Sequence, residues 1–250
     1  VIESGLSPRT PGVDLQRACG TSLEACAMIA NKIALGQIDS GIAGGTDSIS
    51  DPPITYNDGY RSVMMDVYRA RSVAQRILPW FRLRPWHFKP DFPGVTEPRT
   101  GLSMGESMEI TAQKWDVPRE HQDQLALASH VKAAAAYDAG WYDELVVPFL
   151  DCEEDNNIRR DTTFEKLAAL KPVFDKSGDG TMTAGNSTPL TDGAAAVLLA
   201  SEDWARMKNL PVTAYLTFVK VAAVNFVNDE GLLMAPAYAV SEMLKQANLR

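Results

Sequence analysis

The stretch VDLQRACGTSLEACAMIANKIALGQIDSGIAGG, residues 13–45, sets the architecture. Val13, Asp14 and Leu15 alternate as a half-buried strand does, and Ala18-Cys19-Gly20-Thr21-Ser22 is a turn of small residues. Residues 23–35 are helix formers with few polar positions (Glu24, Asn31, Lys32), and Gly36 follows where helices commonly end. So narrow a polar face predicts a helix buried on most sides. Residues 38–43 form a short apolar run closed by Gly44-Gly45, which suits a sharp turn or the close approach of a second backbone. Strand, helix and strand within about thirty residues is the order of a βαβ unit with parallel strands, and it predicts an α/β architecture with helices packed on a sheet.

Beyond this unit the texture changes at Asp51-Pro52-Pro53. Residues 68–92 set Arg69, Arg71, Arg76, Arg82 and Arg84 beside Trp80, Phe81, Trp86 and Phe88. Pro79, Pro85, Pro90 and Pro93 forbid one continuous helix there, so an irregular excursion with short helical pieces is expected. Helices are predicted over 105–115, over 119–139 before Gly140, over 201–208 and over 237–247. A buried strand is predicted over 194–200 and an alternating one over 212–224.

Bulk properties narrow the function. A formal net charge of -8 argues against non-specific nucleic-acid binding, which needs clustered Lys and Arg to neutralise phosphates. Three cysteines without a CxxC pair suggest neither a disulfide framework nor a zinc site, and a reducing compartment is expected. No uncharged apolar run approaches the roughly 18 residues that cross a bilayer, so the chain reads as soluble. Val1 does not begin a secretory leader, and with no initiator Met the opening Val1-Ile2-Glu3 reads as mid-element, an expectation of truncation.

Cys19 stands between the first strand and the first turn of the helix. Free backbone N–H groups and the positive end of the helix dipole favour a thiolate there, the nucleophilic form. A free cysteine is equally a small buried hydrophobe, and the residue's surroundings alone leave both readings open. Cys26, seven residues on within the helix, reads as core. Cys152 lies in acidic Asp151-Cys152-Glu153-Glu154-Asp155, neighbours that disfavour a thiolate.

The segment Arg17-Ala18-Cys19-Gly20-Thr21-Ser22-Leu23-Glu24-Ala25 resembles the nucleophilic-cysteine signature of thiolases. Residues 43–50 resemble the glycine-rich strand end that follows it, and Ser103-Met104-Gly105-Glu106-Ser107 resembles the family's Met-Gly helix start. Residues 180–196, from Gly180 to Ala196, are similar to its long second signature. The four matches fall in the family's order across nearly the whole chain. The resemblance implies a five-layered αβαβα thiolase-like fold, incomplete here, with an inserted loop domain. It assigns residues 1–50 and 190–210 to the N-terminal half, 51–189 to the loop domain and 211–250 to the start of the C-terminal half.

The resemblance also implies an acyltransferase whose parent protein passes an acyl group between 3-ketoacyl-CoA and CoA through an acyl-cysteine at Cys19. No metal or redox cofactor is implied; coenzyme A is a substrate. Arg159 matches the arginine that packs on the adenine, a task suited to a planar guanidinium. Met104, Phe174 and Ala184 match positions lining the pantetheine tunnel. Thr188 replaces a serine but keeps its hydroxyl, and Thr188-Pro189-Leu190 resembles the long-chain subunits of fatty-acid oxidation complexes. Ser103 stands where short-chain thiolases often carry a histidine.

The family's activating Gly-His-Pro histidine and its second, Cys-x-Gly cysteine have no match, since His87, His121 and His130 all lie within 51–189. The chain alone is therefore expected to be inactive. The implied partners are acyl-CoA and CoA, a second copy in a homodimer or larger assembly, and a hydratase/dehydrogenase subunit. The expected location is the cytoplasm, with mitochondrial matrix or peroxisome as alternatives. A ketoacyl synthase of the same fold and a non-catalytic thiolase-like carrier or partner subunit are the alternative functions.

Overall fold

The computed structural model describes residues 3–92, 94–227 and 230–249. Val1, Ile2, Pro93, Asn228, Asp229 and Arg250 lie outside the described residues. In chain order the elements are α1 (Thr21–Ala34), β1 (Ser40–Asp47), β2 (Thr55–Tyr56), α2 (Asp58–Arg69), α3 (Val73–Ile77), β3 (Pro90–Asp91), α4 (Met104–Lys114), α5 (Arg119–Asp138), α6 (Phe164–Ala168), β4 (Gly193–Ala200), α7 (Glu202–Met207) and α8 (Ala235–Gln246). Two 3-10 turns, Leu78–Arg82 and Pro85–Phe88, follow α3. The chain divides into two compact units: Val1–Phe92 with Thr191–Lys220 and Gln246–Arg250, and Pro93–Leu190 with Val221–Lys245.

In the first unit β1 pairs antiparallel with β4, from Ser40 opposite Ala200 to Asp47 opposite Gly193. Residues two apart share a strand face, so Gly41, Ala43 and Gly45 form a face with nothing larger than a methyl group. Helix α1 lies close on it. A Cβ on Gly41 would come 3.1 Å from the Ile29 side chain, and one on Gly45 would come 2.3 Å from Ser22 Oγ. Ala43 beneath the helix is 2% exposed. Gly36, in the left-handed region at φ 66°, ends the helix as its sequence suggested.

Several expectations change here. Residues 13–15 are not a strand, and β1 takes its neighbour from β4 rather than in a parallel βαβ pair. Three alternating residues after Pro11-Gly12 are too short to hold a ladder, and a single bridge between Arg17 and Cys19 is what remains. Helix α1 is not buried on most sides: Ala27 is its buried residue, while Leu23 and Leu35 are exposed. β4 is likewise exposed along most of its length, because a two-stranded sheet covers α1 on one flank only. Residues 212–224 form no strand, since a strand needs a neighbour as well as alternation.

Helix α2 was not anticipated. Asn57-Asp58-Gly59 reads as a turn, yet Asn57 is the N-cap, its side chain accepting from the Gly59 N–H at 2.8 Å. Tyr60, Val63, Met64 and Val67 then recur at helical spacing on the covered side. Residues 73–92 follow as the short helical pieces expected from their prolines.

In the second unit Ser103 caps α4 in a capping box: Glu106 N–H donates to Ser103 Oγ at 3.2 Å, and Ser103 N–H to Glu106 Oε2 at 2.8 Å. The Ser103 N–H first, and its hydroxyl second, which donates to Glu106 Oε2 at 2.7 Å, hold the Glu106 carboxyl below its ordinary value. Pro118 precedes α5 and Gly140, at φ 73°, follows it. Among the described residues no helix is long and apolar enough to cross a membrane.

Candidate active site

The turn that carries Cys19 is fixed from both sides. Arg17 N–H donates to Thr21 Oγ1 at 2.9 Å, Thr21 Oγ1 donates to the Ala18 carbonyl at 2.8 Å, and Gly20 N–H donates to the Arg17 carbonyl at 2.9 Å. An ion pair between Arg17 and Glu24 ties the turn to α1. Ala18 is held at φ 42°, a left-handed conformation that costs a residue with a Cβ about 1–2 kcal/mol. Strain of that kind gathers where a backbone must present a group in one direction. Gly20 is the N-cap of α1 and offers no side-chain cap, so the positive end of the helix begins one residue after the thiol.

Cys19 is exposed. Cys26 is half-buried on α1. Cys152 is exposed and its Sγ donates to the Glu154 carbonyl at 3.1 Å.

At the far end of β1 the Asp192 carboxylate, just before β4, accepts from the Ile49 N–H at 2.6 Å and the Ser50 N–H at 2.8 Å. Bonds from Ser50, side chain then backbone, hold this carboxyl below its ordinary value, with the Ile49 N–H adding to them.

The second unit contains a cavity of about 830 Å³. Met108 and Ala112 of α4, Leu125 and Ala126 of α5, Leu167 of α6 and Met182 give it apolar walls. Arg159, Ala184 and Thr188, three of the residues singled out in the sequence, line it together. His130 lines it as well, and its Nδ1 accepts the Arg159 backbone N–H at 3.2 Å, which tethers the arginine's loop to α5. Ser187 Oγ, on the same wall, is buried without a hydrogen-bond partner. Met104 and Phe174 are not among the lining residues. Met104, the first residue of α4, is exposed, and the Phe174 ring occupies the space a Cβ on Gly105 would need, 2.0 Å from it.

Behind that wall lie two buried carboxylates that the sequence reading passed over. Glu109, 2% exposed, accepts from Thr181 N–H, Thr181 Oγ1 and Met182 N–H, each at 2.8 Å. Asp123, 1% exposed, accepts from Arg119 Nε at 2.7 Å and Asn186 Nδ2 at 2.9 Å. Arg119 Nη2 donates to the Leu167 and Leu170 carbonyls at 2.7 and 3.2 Å. Fully buried Thr183 donates its N–H to Asn186 Oδ1 at 2.7 Å. Together these bonds fix 181–187, the strip from which Ala184 and Ser187 reach the cavity. Among the described residues no three His, Cys, Asp or Glu side chains cluster so as to hold a metal ion.

A family model described as the thiolase N-terminal domain matches residues 1–203. The chain belongs to the thiolase family. It is 40% identical to the 3-ketoacyl-CoA thiolase of Yersinia pestis (strain Pestoides F), over 100% of this chain and 58% of that protein. It superimposes on human mitochondrial 3-ketoacyl-CoA thiolase in complex with CoA with a TM-score of 0.77 at 27% identity, covering 99% of this chain and 58% of that one. With the dimeric peroxisomal thiolase of Saccharomyces cerevisiae the TM-score is 0.73 at 28% identity, over 100% and 57%. The chain thus spans somewhat over half the length of these thiolases, and its fold is the corresponding part of the thiolase α/β fold.

Proposed function

We propose that this thiolase chain carries the acyl-accepting cysteine of an acetyl-CoA C-acyltransferase. In that reading the Cys19 thiolate attacks the 3-keto carbonyl of a 3-ketoacyl-CoA, the bond between C2 and C3 breaks, and acetyl-CoA leaves as its C2 carbanion takes up a proton. The acyl group then passes from sulfur to the thiol of CoA, or the sequence runs backwards as a Claisen condensation. Backbone N–H groups around Cys19, other than that of Gly20 which the Arg17 carbonyl holds, would help to hold the developing oxyanion. The observation that carries the reading is the exposed thiol at the uncapped start of α1, in a chain 40% identical to a 3-ketoacyl-CoA thiolase.

The shared wall of Arg159, Ala184 and Thr188 supports coenzyme A as the ligand of the cavity. An apolar channel suits a long uncharged arm, and a guanidinium suits its nucleotide end. Phe174 and Met104 remain proposed contacts of the same arm. No metal or redox group enters this chemistry. We further assign 51–189 to the loop domain between the segments 1–50 and 190–210 of the N-terminal half, with 211–250 opening the C-terminal half. The proposed assembly is a homodimer or larger, joined by a hydratase/dehydrogenase subunit, in the cytoplasm. Thr188-Pro189-Leu190 favours medium or long acyl chains, each buried methylene adding up to about 0.8 kcal/mol.

Mass spectrometry of the full-length protein after brief exposure to a 3-ketoacyl-CoA tests the core of this. The expected product is one acyl group on Cys19. Acylation elsewhere, or none, rejects the assignment. Faster thiolysis of acetoacetyl-CoA than of substrates with eight or more carbons would reject the preference for longer chains.

A further inference from the structure

From α5 the cavity of the second unit is lined by Gln122, Leu125, Ala126, Ser129 and His130. Those positions recur three and four residues apart, as one face of a helix does. The same stripe reaches Tyr137, and with Asp138 beside it α5 holds the loop 154–160 at three points. Tyr137 Oη accepts the Asp155 N–H at 3.0 Å, Asp138 Oδ1 pairs with Arg160 Nη1 at 2.7 Å, and His130 Nδ1 accepts the Arg159 N–H at 3.2 Å.

The three are not equivalent. The Asp138 and Arg160 side chains are exposed, and ion pairs of that kind contribute little. The Tyr137 bond falls on Asp155, well before the arginine that lines the cavity. The His130 bond acts on Arg159 itself, from a residue of the cavity wall. Arg159 is exposed, and a long exposed side chain has many rotamers to sample. A planar peptide whose N–H is fixed sets the direction in which the Cα–Cβ bond leaves the loop, and with it the rotamers that reach the cavity. An imidazole suits the task, since Nδ1 accepts when the ring's hydrogen is on Nε2.

We propose that His130 is a positioning residue: by holding the Arg159 backbone N–H it aims the guanidinium at the nucleotide end of coenzyme A in the cavity. The assignment rests on coenzyme A being the ligand of that cavity. Its effect is pre-organisation, because a side chain already directed at its target loses less freedom when the ligand arrives.

The test is calorimetric titration of the full-length protein with CoA, beside kcat for thiolysis at saturating CoA. His130→Leu keeps bulk but cannot accept a hydrogen bond. It should weaken CoA binding roughly fivefold, the scale of one lost hydrogen bond, while kcat changes less. His130→Asn, whose side-chain oxygen can accept the same N–H, should recover most of the affinity. Should the leucine variant fail to fold, His130→Phe keeps a planar ring without the acceptor and carries the same expectations. In an Arg159→Ala background, removing the His130 acceptor should weaken binding no further, because the histidine acts through the side chain already lost. An asparagine variant as weak as leucine, a full extra loss beside Arg159→Ala, or a fall in kcat as large as the fall in affinity would assign His130 to general packing and overturn the proposal. Weakened binding in Arg159→Ala with His130→Leu unaffected overturns it while leaving coenzyme A in the cavity. Wild-type affinity in Arg159→Ala removes coenzyme A from this end of the cavity, and the proposal falls with that reading.

Discussion

The two regions that carry the candidate chemistry are built on opposite principles. Around Cys19 position comes from backbone: a left-handed alanine, a short turn, and a helix lying close on a strand face of Gly41, Ala43 and Gly45. Around the cavity it comes from buried side chains, with Glu109 and Asp123 fixing a strip of chain 63 to 73 residues away in sequence. A backbone device tolerates exposure, because its hydrogen bonds are short-range. A buried carboxylate does not, because each partner removed leaves a desolvated charge.

The largest effect should come from the first region. In the full-length protein Cys19→Ser should lower kcat for thiolysis by roughly a thousandfold or more, since a hydroxyl is far less nucleophilic than a thiolate. Unfolding midpoints should stay near wild type, because the exposed thiol packs against little. Substantial turnover by the serine variant would move the chemistry away from this turn.

The second region should respond the other way, in stability. Glu109→Ala strands the Thr181 and Met182 N–H groups, and loss of buried acceptors of this kind costs about 3 kcal/mol. Denaturant unfolding should show that loss, while iodoacetamide should still alkylate Cys19 at the wild-type rate. If the alkylation rate changed equally, the two regions would not be separate devices.

How far each region could be read from sequence follows from the same contrast. Local signals were legible: Gly36 ends α1, Ser103 and Glu106 open α4, Pro118 and Gly140 bracket α5, and the small residues around Cys19 mark a turn into a helix. Signals that need a partner elsewhere were not. Residues 13–15 and 212–224 alternate as strands do, yet neither has a ladder. Glu109 looks like any helical glutamate until Thr181 arrives; the Arg119 and Asp123 pair at i,i+4 was the one visible hint of its network. Helix α2 was hidden by Asn57-Asp58-Gly59, in which a cap has the composition of a turn.

Helix-on-strand proximity in the first region admits a sharper test. Gly45→Ala places a methyl 2.3 Å from Ser22 Oγ, so helix or strand must shift, an overpacking that costs about 1–3 kcal/mol. Ser22→Ala removes the offending oxygen and leaves the nearest atom, the Ser22 Cβ position, at 3.6 Å, an ordinary contact. The double variant should therefore recover most of the stability lost by Gly45→Ala alone. Additive losses in a double-mutant cycle would show that the close approach is not what fixes the pair.

The smallest effect concerns the strand end beyond Gly45, where an exposed carboxylate does what buried ones do in the second unit. Asp192 accepts from the Ile49 and Ser50 N–H groups, and those bonds, Ser50's foremost, hold its carboxyl below the usual value of 3.8. A carboxyl whose folded value is depressed adds stability that is fully present above its unfolded value and is lost as pH falls through the lower folded one. Hydrogen exchange at Ile49 and Ser50 should accordingly be protected near neutrality. Protection should fade only when pH drops below the ordinary aspartate range, and later than at a carboxylate whose value is not depressed. Asp192→Asn keeps an acceptor oxygen but no titratable charge, so its protection should be weaker at neutral pH and flat on acidification. Solvent reaches this site freely, which keeps the effect local to the 47–50 turn and leaves global unfolding nearly unmoved. A pH response of equal size in Asp192→Asn would assign the loss of protection to another group and remove the carboxylate from the account of how β1 and β4 are joined at this end.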